Sequence, residues 1–377
     1  MDYRKENNGL GVSLLGMGTM RLPCKLAIKK EASALIDFKK AEKIIDYAYA
    51  HGVTYYDTAY MYHAGKSEGF IGKALKKYPR DSFFIADKMP IWMCASKAGM
   101  ERIFKRQQAR TGFEKFDYYL LHSLNKENYD KCEKFGAYEF LERMRAEGKI
   151  DKIGFSFHGS IDDLKRIVAD HHWDFAQIQL NYLDWKDQSA DQQYQILTDA
   201  GIPVIIMEPV RGGKLAAPGK EAEKLLKAVN PDSSIASWAI RFAASLPNVM
   251  TVLSGMSSLE QIEDNIKTMT DFKPLDKREN GIIENVVSIL HKKEVVPCTG
   301  CDYCSDCPNG VKISSIFSIY NKHKNAEISK SEANQMYKML EVNASACIEC
   351  GKCKGHCPQS IEIPELLHGK VGELFSE

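Results

Sequence analysis

From Gly9 to about Thr268 the chain alternates short apolar runs with longer segments of helical periodicity, and this alternation constrains the fold more than any other feature. A first strand lies within Gly9 to Met20, as part of a short hairpin and a glycine-rich turn. Further strands are expected at 53–56, 82–88, 116–121, 150–156, 174–180, 203–207 and 249–253. Helices are expected at about 39–51, 67–77, 98–111, 136–147, 160–170 and 188–200, within 219–245, and at 257–268. Gly52, Gly148 and Gly201 follow three of these helices, where a left-handed residue stops a helix cheaply. Eight strand–helix units with short apolar strands predict a parallel (β/α)8 barrel. An open doubly wound sheet is the alternative, because alternation does not by itself show closure. Gly16-Met17-Gly18 is too short for a dinucleotide fingerprint and suits close backbone packing at a strand end.

A barrel collects its chemistry where strands end. Asp57 and Tyr62 follow the second apolar strand, Lys88 ends the third and His122 the fourth. Singly, each reads as a surface charge or a capped polar group. Four such residues at consistent strand ends form a candidate site.

Composition narrows the rest. The 377 residues carry 51 Lys and Arg against 50 Asp and Glu, a net charge of +1. Nucleic-acid binding draws on concentrated basic charge, so no nucleic-acid partner is expected. No run of 18 or more apolar residues and no basic–apolar leader stands out, so neither a membrane span nor export is expected, and the location expected is cytoplasmic.

The cysteines are clustered. Eight of the eleven lie between Cys298 and Cys357, after a charged helical connector at about 273–293. Disulfide frameworks belong to small secreted domains, so clustered thiols in this setting point to metal. Cys298, Cys301, Cys304 and Cys307 form C-x2-C-x2-C-x2-C-P. Cys347, Cys350, Cys353 and Cys357 form C-x2-C-x2-C-x3-C-P. Two such runs suit two [4Fe–4S] clusters, the fourth cysteine of each run crossing to the other cluster. One cluster would then use Cys298, Cys301, Cys304 and Cys357, and the other Cys347, Cys350, Cys353 and Cys307. A pair of zinc sites is the alternative. The tail resembles a two-cluster ferredoxin module with a helical insert at roughly 317–340. Cys24, Cys94 and Cys132 match no cluster pattern. His323, His356 and His368 are expected to be solvated, since cysteine fills every ligand position. The domains expected are residues 1–272, the barrel, and 273–377, the connector and iron–sulfur tail.

Further motifs carry a family resemblance. Asp57-Thr-Ala-Tyr-Met-Tyr62, Asp87-Lys88-Met89-Pro90 and Leu120-Leu121-His122 resemble the catalytic tetrad of the aldo/keto reductases. The resemblance implies that Tyr62 acts as the general acid, that a Lys88 ammonium anchored by Asp57 lowers its pKa from ~10, and that His122 orients the carbonyl. Gly154 to His158, with Ser156, resembles the fifth-strand motif beside the nicotinamide amide, and Gln177 falls at the sixth-strand glutamine of that site, with Asn181 beyond. Met207 to Leu215, with Glu208, Arg211 and Gly213, resembles the loop under the pyrophosphate. Ser254, Gly255, Gln261, Asp264 and Asn265 resemble the adenosine-end motif. The family's basic 2′-phosphate partner is missing near Ser254 and Gln261, so NADPH and NADH both stand as the cofactor. With its tail, the chain resembles the iron–sulfur-bearing members of the family.

The resemblance therefore implies an NAD(P)-dependent oxidoreductase that interconverts small carbonyl and alcohol substrates. The clusters would exchange electrons with a ferredoxin or another redox partner, or fasten the tail. The alternatives are an electron carrier with a scaffold barrel and a cluster-based redox sensor. A nicotinamide passes two electrons as hydride, whereas a [4Fe–4S] cluster normally passes one. No flavin motif is present to couple them.

Overall fold

In the computed structural model, which describes residues 1–7, 9–25, 35–293 and 295–375, eight parallel strands close into a barrel. A two-stranded antiparallel hairpin, β1 (Tyr3–Asn7) and β2 (Leu10–Ser13), precedes it. The barrel strands are β3 (Leu15–Gly18), β4 (Tyr55–Asp57), β5 (Phe84–Met89), β6 (Phe116–Leu124), β7 (Ile150–Phe157), β8 (Phe175–Gln179), β9 (Val204–Met207) and β10 (Val249–Ser254). Each pairs with the next, and β10 pairs back onto β3 through Val252 to Ser254 against Leu15 to Met17. That last ladder excludes the open sheet.

Alternation along each strand decides which side chains enter the barrel. Tyr55, Phe84, Ala86, Tyr118, Leu120 and Phe175 pack together as one cluster in the lumen. Edge-on ring pairs knit it: Tyr55 with Tyr118 at 5.0 Å, and Tyr118 with Phe175 at 5.1 Å. Burying an aromatic ring this way stabilises by roughly 1.5–3 kcal/mol. The intervening residues Tyr56, Ile85, Tyr119 and Phe155 face the surrounding helices in the main core. By the same two-residue period, Asp57, Lys88, His122, Ser156 and Gln177 point inward at the carboxyl ends of their strands, and Asp87 points outward.

The outer helices start and stop where the sequence supplies caps. Helix Ile161–Asp170 opens on a Ser160/Asp163 capping box, and Leu259–Met269 on Ser258. Helix Lys97–Thr111 ends at Gly112, with φ 72°. Helix Ser67–Leu75 lies so close to that end that a Cβ at Gly72 would sit 1.9 Å from the Thr111 carbonyl oxygen. Only glycine permits the approach.

Two expectations need correction. Helix Lys126–Phe135, capped by Asn125, has no counterpart in the sequence reading, because its only fully buried side chains are Tyr129 and Cys132. Strand β6 runs past His122 to Leu124, with a register irregularity after Leu121 and Ser123 at φ 58°. His122 is therefore held inside the strand and is not its last residue.

The chain forms two compact units, Met1–Val210 with Ser237–Asp276, and Arg211–Ala236 with Lys277–Glu377. The second unit has its own core of Val296, Ile316, Phe317, Tyr320, Ile363 and Val371. The expected insert is two helices, Ile313–Lys324 and Lys330–Lys338, the latter opened by a Ser329/Glu332 capping box. No helix among the described residues is long and apolar enough to cross a membrane.

Candidate active site and cluster centre

The mouth of the barrel brings Asp57, Tyr62, Lys88 and His122 together. Lys88 Nζ donates to Asp57 Oδ2 at 2.6 Å and to the Thr58 carbonyl at 2.7 Å, and both charged side chains are almost wholly buried. Thr19 Oγ1 donates to the Asp57 carbonyl at 2.8 Å and accepts from Ser67 Oγ at 2.7 Å, which fixes the turn after β4. The same ammonium stands 5.0 Å from the centre of the Tyr62 ring. Tyr62 meets His122 edge-on, with ring centres 6.2 Å apart. Trp92 covers the other side of His122 at 5.1 Å and is itself exposed.

Burial sets the charge states here. It pushes Asp57 above the ordinary carboxylate value, while the Lys88 ion pair and hydrogen bond pull it back. His122 is held well below the ordinary imidazole value, first by burial and then by Lys88 and His158. Its Nδ1 has no hydrogen-bond partner among the described residues. Tyr62 departs from expectation. Burial raises its phenol well above ~10, reinforced by the charges of Asp57, Glu208 and Asp87 and opposed by Arg21. Lys88 commits hydrogen bonds to Asp57 and Thr58 and meets Tyr62 through the ring face, so burial dominates the resting phenol.

Of the expected dinucleotide residues, Ser156, Gln177 and Ser254 lie toward the carboxyl ends of β7, β8 and β10, while Gln261, Asp264 and Asn265 lie on helix Leu259–Met269. Ser156 and Gln177 are register partners on β7 and β8. Ser156 Oγ accepts the Ser123 N–H at 2.7 Å, and Gln177 Oε1 is buried without a partner among the described residues. Asn181 Nδ2 donates to the Glu208 carbonyl at 3.1 Å. Ser254 Oγ accepts from Asn265 Nδ2 at 3.0 Å, and Gln261 Oε1 accepts the Ser257 N–H at 2.7 Å. Asp264 sits half-buried one position before Asn265. Gly255 lies against Arg21, which a Cβ there would touch at 3.1 Å. Arg21 also pairs with Glu208 at 2.9 Å, and the sequence reading missed it. Its signal was position: it follows the glycine-rich end of β3 by three residues. Arg211 and Gly213 belong to the second unit, where Arg211, Gly212 and Gly213 take consecutive φ values of 48°, 65° and 93°. Consecutive left-handed residues orient backbone N–H groups toward an anion.

In the second unit the cysteines sort by space rather than by sequence run. A partly open pocket is lined by Cys298, Cys301, Cys304 and Cys357, with Ile313, Phe317, Ile361 and Ile363 as its apolar wall. Cys353 feels the charges of Cys347 and Cys307, and Lys352 those of Cys350 and Cys307. The pocket thus gathers three cysteines of one run with the fourth of the other, the set one cubane cluster needs, while Cys307 lies close enough to Cys353 and Lys352 to act on both. Burial raises the Cys304 thiol to about 12, so the thiolate needs a bound cation to persist. Lys214 Nζ donates to the Val296 carbonyl at 3.0 Å, and its charge acts on Cys298. His356 lies 3.3 Å from Asp306, His368 3.6 Å from Glu349, and His323 Nδ1 3.3 Å from the Ile328 carbonyl, so polar neighbours rather than solvent alone engage all three. Cys94 and Cys132 are buried, and Cys24 Sγ stands 3.7 Å from His63 Nδ1.

Comparison with known proteins agrees with this geometry. The model of the aldo/keto reductase family matches residues 14–288, and that of a 4Fe-4S dicluster domain matches residues 297–362. A probable aldo-keto reductase 1 of Glycine max is 26% identical over 221 residues, covering 56% of this chain and 60% of its own. The L-galactose dehydrogenase of Arabidopsis thaliana is 24% identical over 301 residues, covering 74% and 91%. An aldo-keto reductase of Klebsiella pneumoniae, solved in complex with NADPH, shares the fold at TM-score 0.58 and 20% identity over 76% of this chain and 96% of that one. The chain belongs to the aldo/keto reductase family, as an oxidoreductase of carbonyl and alcohol groups that works with NAD(P) and carries a two-cluster 4Fe–4S domain at its carboxyl end.

Proposed function

We propose that Tyr62 is the proton donor for carbonyl reduction, with His122 orienting the substrate oxygen and the Lys88–Asp57 pair fixing the electrostatics. A bound nicotinamide supplies the hydride. The neutral His122 imidazole offers an N–H to the carbonyl oxygen without adding a charge to a buried site. The Tyr62 phenol keeps its proton through the neutral range and gives it up only as negative charge develops on that oxygen. Lys88 stabilises the phenolate left behind, and Asp57 keeps the ammonium in place. In the alcohol-oxidising direction the same groups run in reverse. The observation that carries this reading is the convergence of four side chains, from three strands and the turn after the first of them, around one buried ion pair.

In the first unit Ser156, Gln177, Glu208, Ser254, Gly255, Gln261, Asp264 and Asn265 are the groups we assign to the dinucleotide. The partnerless Gln177 Oε1 supports this, since a carboxamide N–H2 would satisfy it. Arg211 and Gly213 form an anion nest. Residues 1–272 would carry the reductase chemistry, and 273–377 the clusters, with ligands crossed as Cys298, Cys301, Cys304, Cys357 and Cys347, Cys350, Cys353, Cys307. Cys350 is the exposed member of the eight, beside exposed Ile348, which favours exchange with a one-electron partner such as a ferredoxin at that cluster. Clustered thiols of this kind persist in a reducing compartment, so we place the protein in the cytoplasm.

Anaerobic oxidation of NADPH and of NADH with a panel of aldehydes, ketones and sugars tests the reading. Carbonyl-dependent oxidation of one cofactor supports it. Cofactor binding with no turnover of any carbonyl or alcohol would favour the electron-carrier alternative.

A further inference from the structure

The outward face of β5, behind Lys88, carries a second buried acid pair that the chemistry above does not use. Asp87, Glu68 and Gln107 are each wholly buried. Gly72 makes this closeness attainable, because it lets helix Ser67–Leu75, which carries Glu68, lie against helix Lys97–Thr111, which carries Gln107 and Arg110. Both backbone polar groups of Lys88 are held here. Asp87 Oδ1 accepts the Lys88 N–H at 2.8 Å, and Gln107 Nε2 donates to the Lys88 carbonyl at 2.9 Å. The Tyr119 hydroxyl in turn donates to Gln107 Oε1.

Charge counting shows what is missing. Two carboxyl groups within hydrogen-bonding reach of each other face one cation on this side of the strand. Arg110 Nη1 donates to Glu68 Oε2 at 2.7 Å, while the Lys88 ammonium is committed to Asp57 and Thr58 inside the barrel. The remaining oxygens, Glu68 Oε1 and Asp87 Oδ2, make no well-formed hydrogen bond among the described residues, and the Gln107 amide, whose Nε2 is held by the Lys88 carbonyl, acts on Glu68 only secondarily to Arg110. Two buried acceptors side by side are costly unless a proton lies between them.

We propose that Asp87 and Glu68 share one proton, carried on Asp87, and that this protonated pair is the clamp that positions Lys88. The pair then holds one negative charge, balanced by Arg110. Asp87 touches no reacting atom and acts through Lys88, so it is a positioning residue, and its effect on turnover rests on the assignment of Lys88 given above. The charged and titratable groups facing it are Glu68 from helix Ser67–Leu75, Arg110 from helix Lys97–Thr111, Tyr119 from β6, and Lys88 from its own strand. Tyr62 lies close enough to feel the charge of Asp87, and Cys94 acts on Tyr119. Burial first, and then Glu68, raise Asp87 well above the carboxylate range, and burial raises Glu68. Raised carboxyl values mean that the folded state holds protons the unfolded chain releases. The pair's stabilisation is full below about pH 4 and is lost as pH rises through the folded values.

Infrared difference spectroscopy of the full chain at neutral pH, wild type minus Asp87→Asn, reads the proton directly. The pair gives a carboxylic-acid carbonyl band that shifts in D2O and vanishes in Asp87→Asn, whose amide can donate to Glu68 in its place. Absence of the band in wild type, or its survival in Asp87→Asn, overturns the shared proton. Asp87→Leu, which cannot accept the Lys88 N–H, should lower kcat roughly ten- to hundredfold with cofactor affinity retained, and Asp87→Asn should restore most of it. Wild-type kcat in Asp87→Leu overturns the positioning role. If Asp87→Leu does not fold, stability against pH decides the matter, because Asp87→Asn must flatten the alkaline decline of wild type and an unchanged slope refutes the clamp. The infrared result stands or falls independently of whether Tyr62 is the acid.

Discussion

Lys88 Nζ lies 2.6 Å from Asp57 Oδ2 with both side chains excluded from water, so neither charge has a solvent alternative to the other. Removing one partner leaves the second buried and unpaired. Lys88→Met should cost about 3–5 kcal/mol of stability, and Asp57→Asn a similar amount. The double variant should recover much of that loss while remaining inactive. Chemical denaturation of the three variants beside wild type measures it. Additive losses in the double variant would mean that the two groups do not depend on each other.

The scaffold makes a sharper steric prediction. Gly72→Ala would place a methyl against the Thr111 carbonyl, 1.9 Å away, and backbone atoms cannot step aside as a side-chain tip can. The two helices must separate, at a cost of about 1–3 kcal/mol or more, read as a lowered melting temperature. Alanine at Gly112, which meets nothing within 4 Å, pays only for its positive φ and should cost less.

Much of this site was legible in the sequence, because a strand's two-residue period fixes which residues share a face. Phe84, Ala86 and Lys88 have one parity, and Ile85, Asp87 and Met89 the other. Placing Lys88 inward therefore also places Asp87 outward. The cysteine spacings were equally informative, since the cavity collects Cys298, Cys301 and Cys304 with Cys357. Three things were hidden. Helix Lys126–Phe135 has too thin an apolar stripe to announce itself. The pairing of Arg21 with Glu208 joins residues far apart in sequence. The acidity of Tyr62 depends on burial and on the charges of Asp57, Glu208, Asp87 and Arg21 around it, and neither is written in a motif.

The pH profile follows from the two shifted groups. His122 is neutral until well below the ordinary imidazole value, and Tyr62 stays protonated until well above ~10. The kcat/KM for carbonyl reduction should therefore be level from about pH 7 to about pH 9. A profile falling with a midpoint near neutrality would show that one assignment is wrong. Stability carries the same signature. The folded state binds fewer protons at His122 than the unfolded chain does, so His122 contributes a loss of stability that begins as pH drops below about 6.5. His122→Gln should remove that contribution.

Crossed ligation of the clusters is separable from ligation within each run. Cys357→Ser and Cys298→Ser should abolish the same cluster signal in electron paramagnetic resonance, and Cys307→Ser the signal lost in Cys347→Ser. If Cys357→Ser instead matches Cys347→Ser, each run holds its own cluster, and the cavity around Cys298 and Cys357 has another use.

Tyr62 is the group on which proton transfer depends. Anaerobic turnover of Tyr62→Phe, measured with NADPH or NADH and an aldehyde that wild type reduces, tests it most directly when cofactor affinity is recorded on the same sample. The phenylalanine keeps the ring against His122 and removes only the proton donor. Turnover should be lost by roughly 10²- to 10⁴-fold with cofactor binding unchanged. Turnover at the wild-type rate would contradict Tyr62 as the acid.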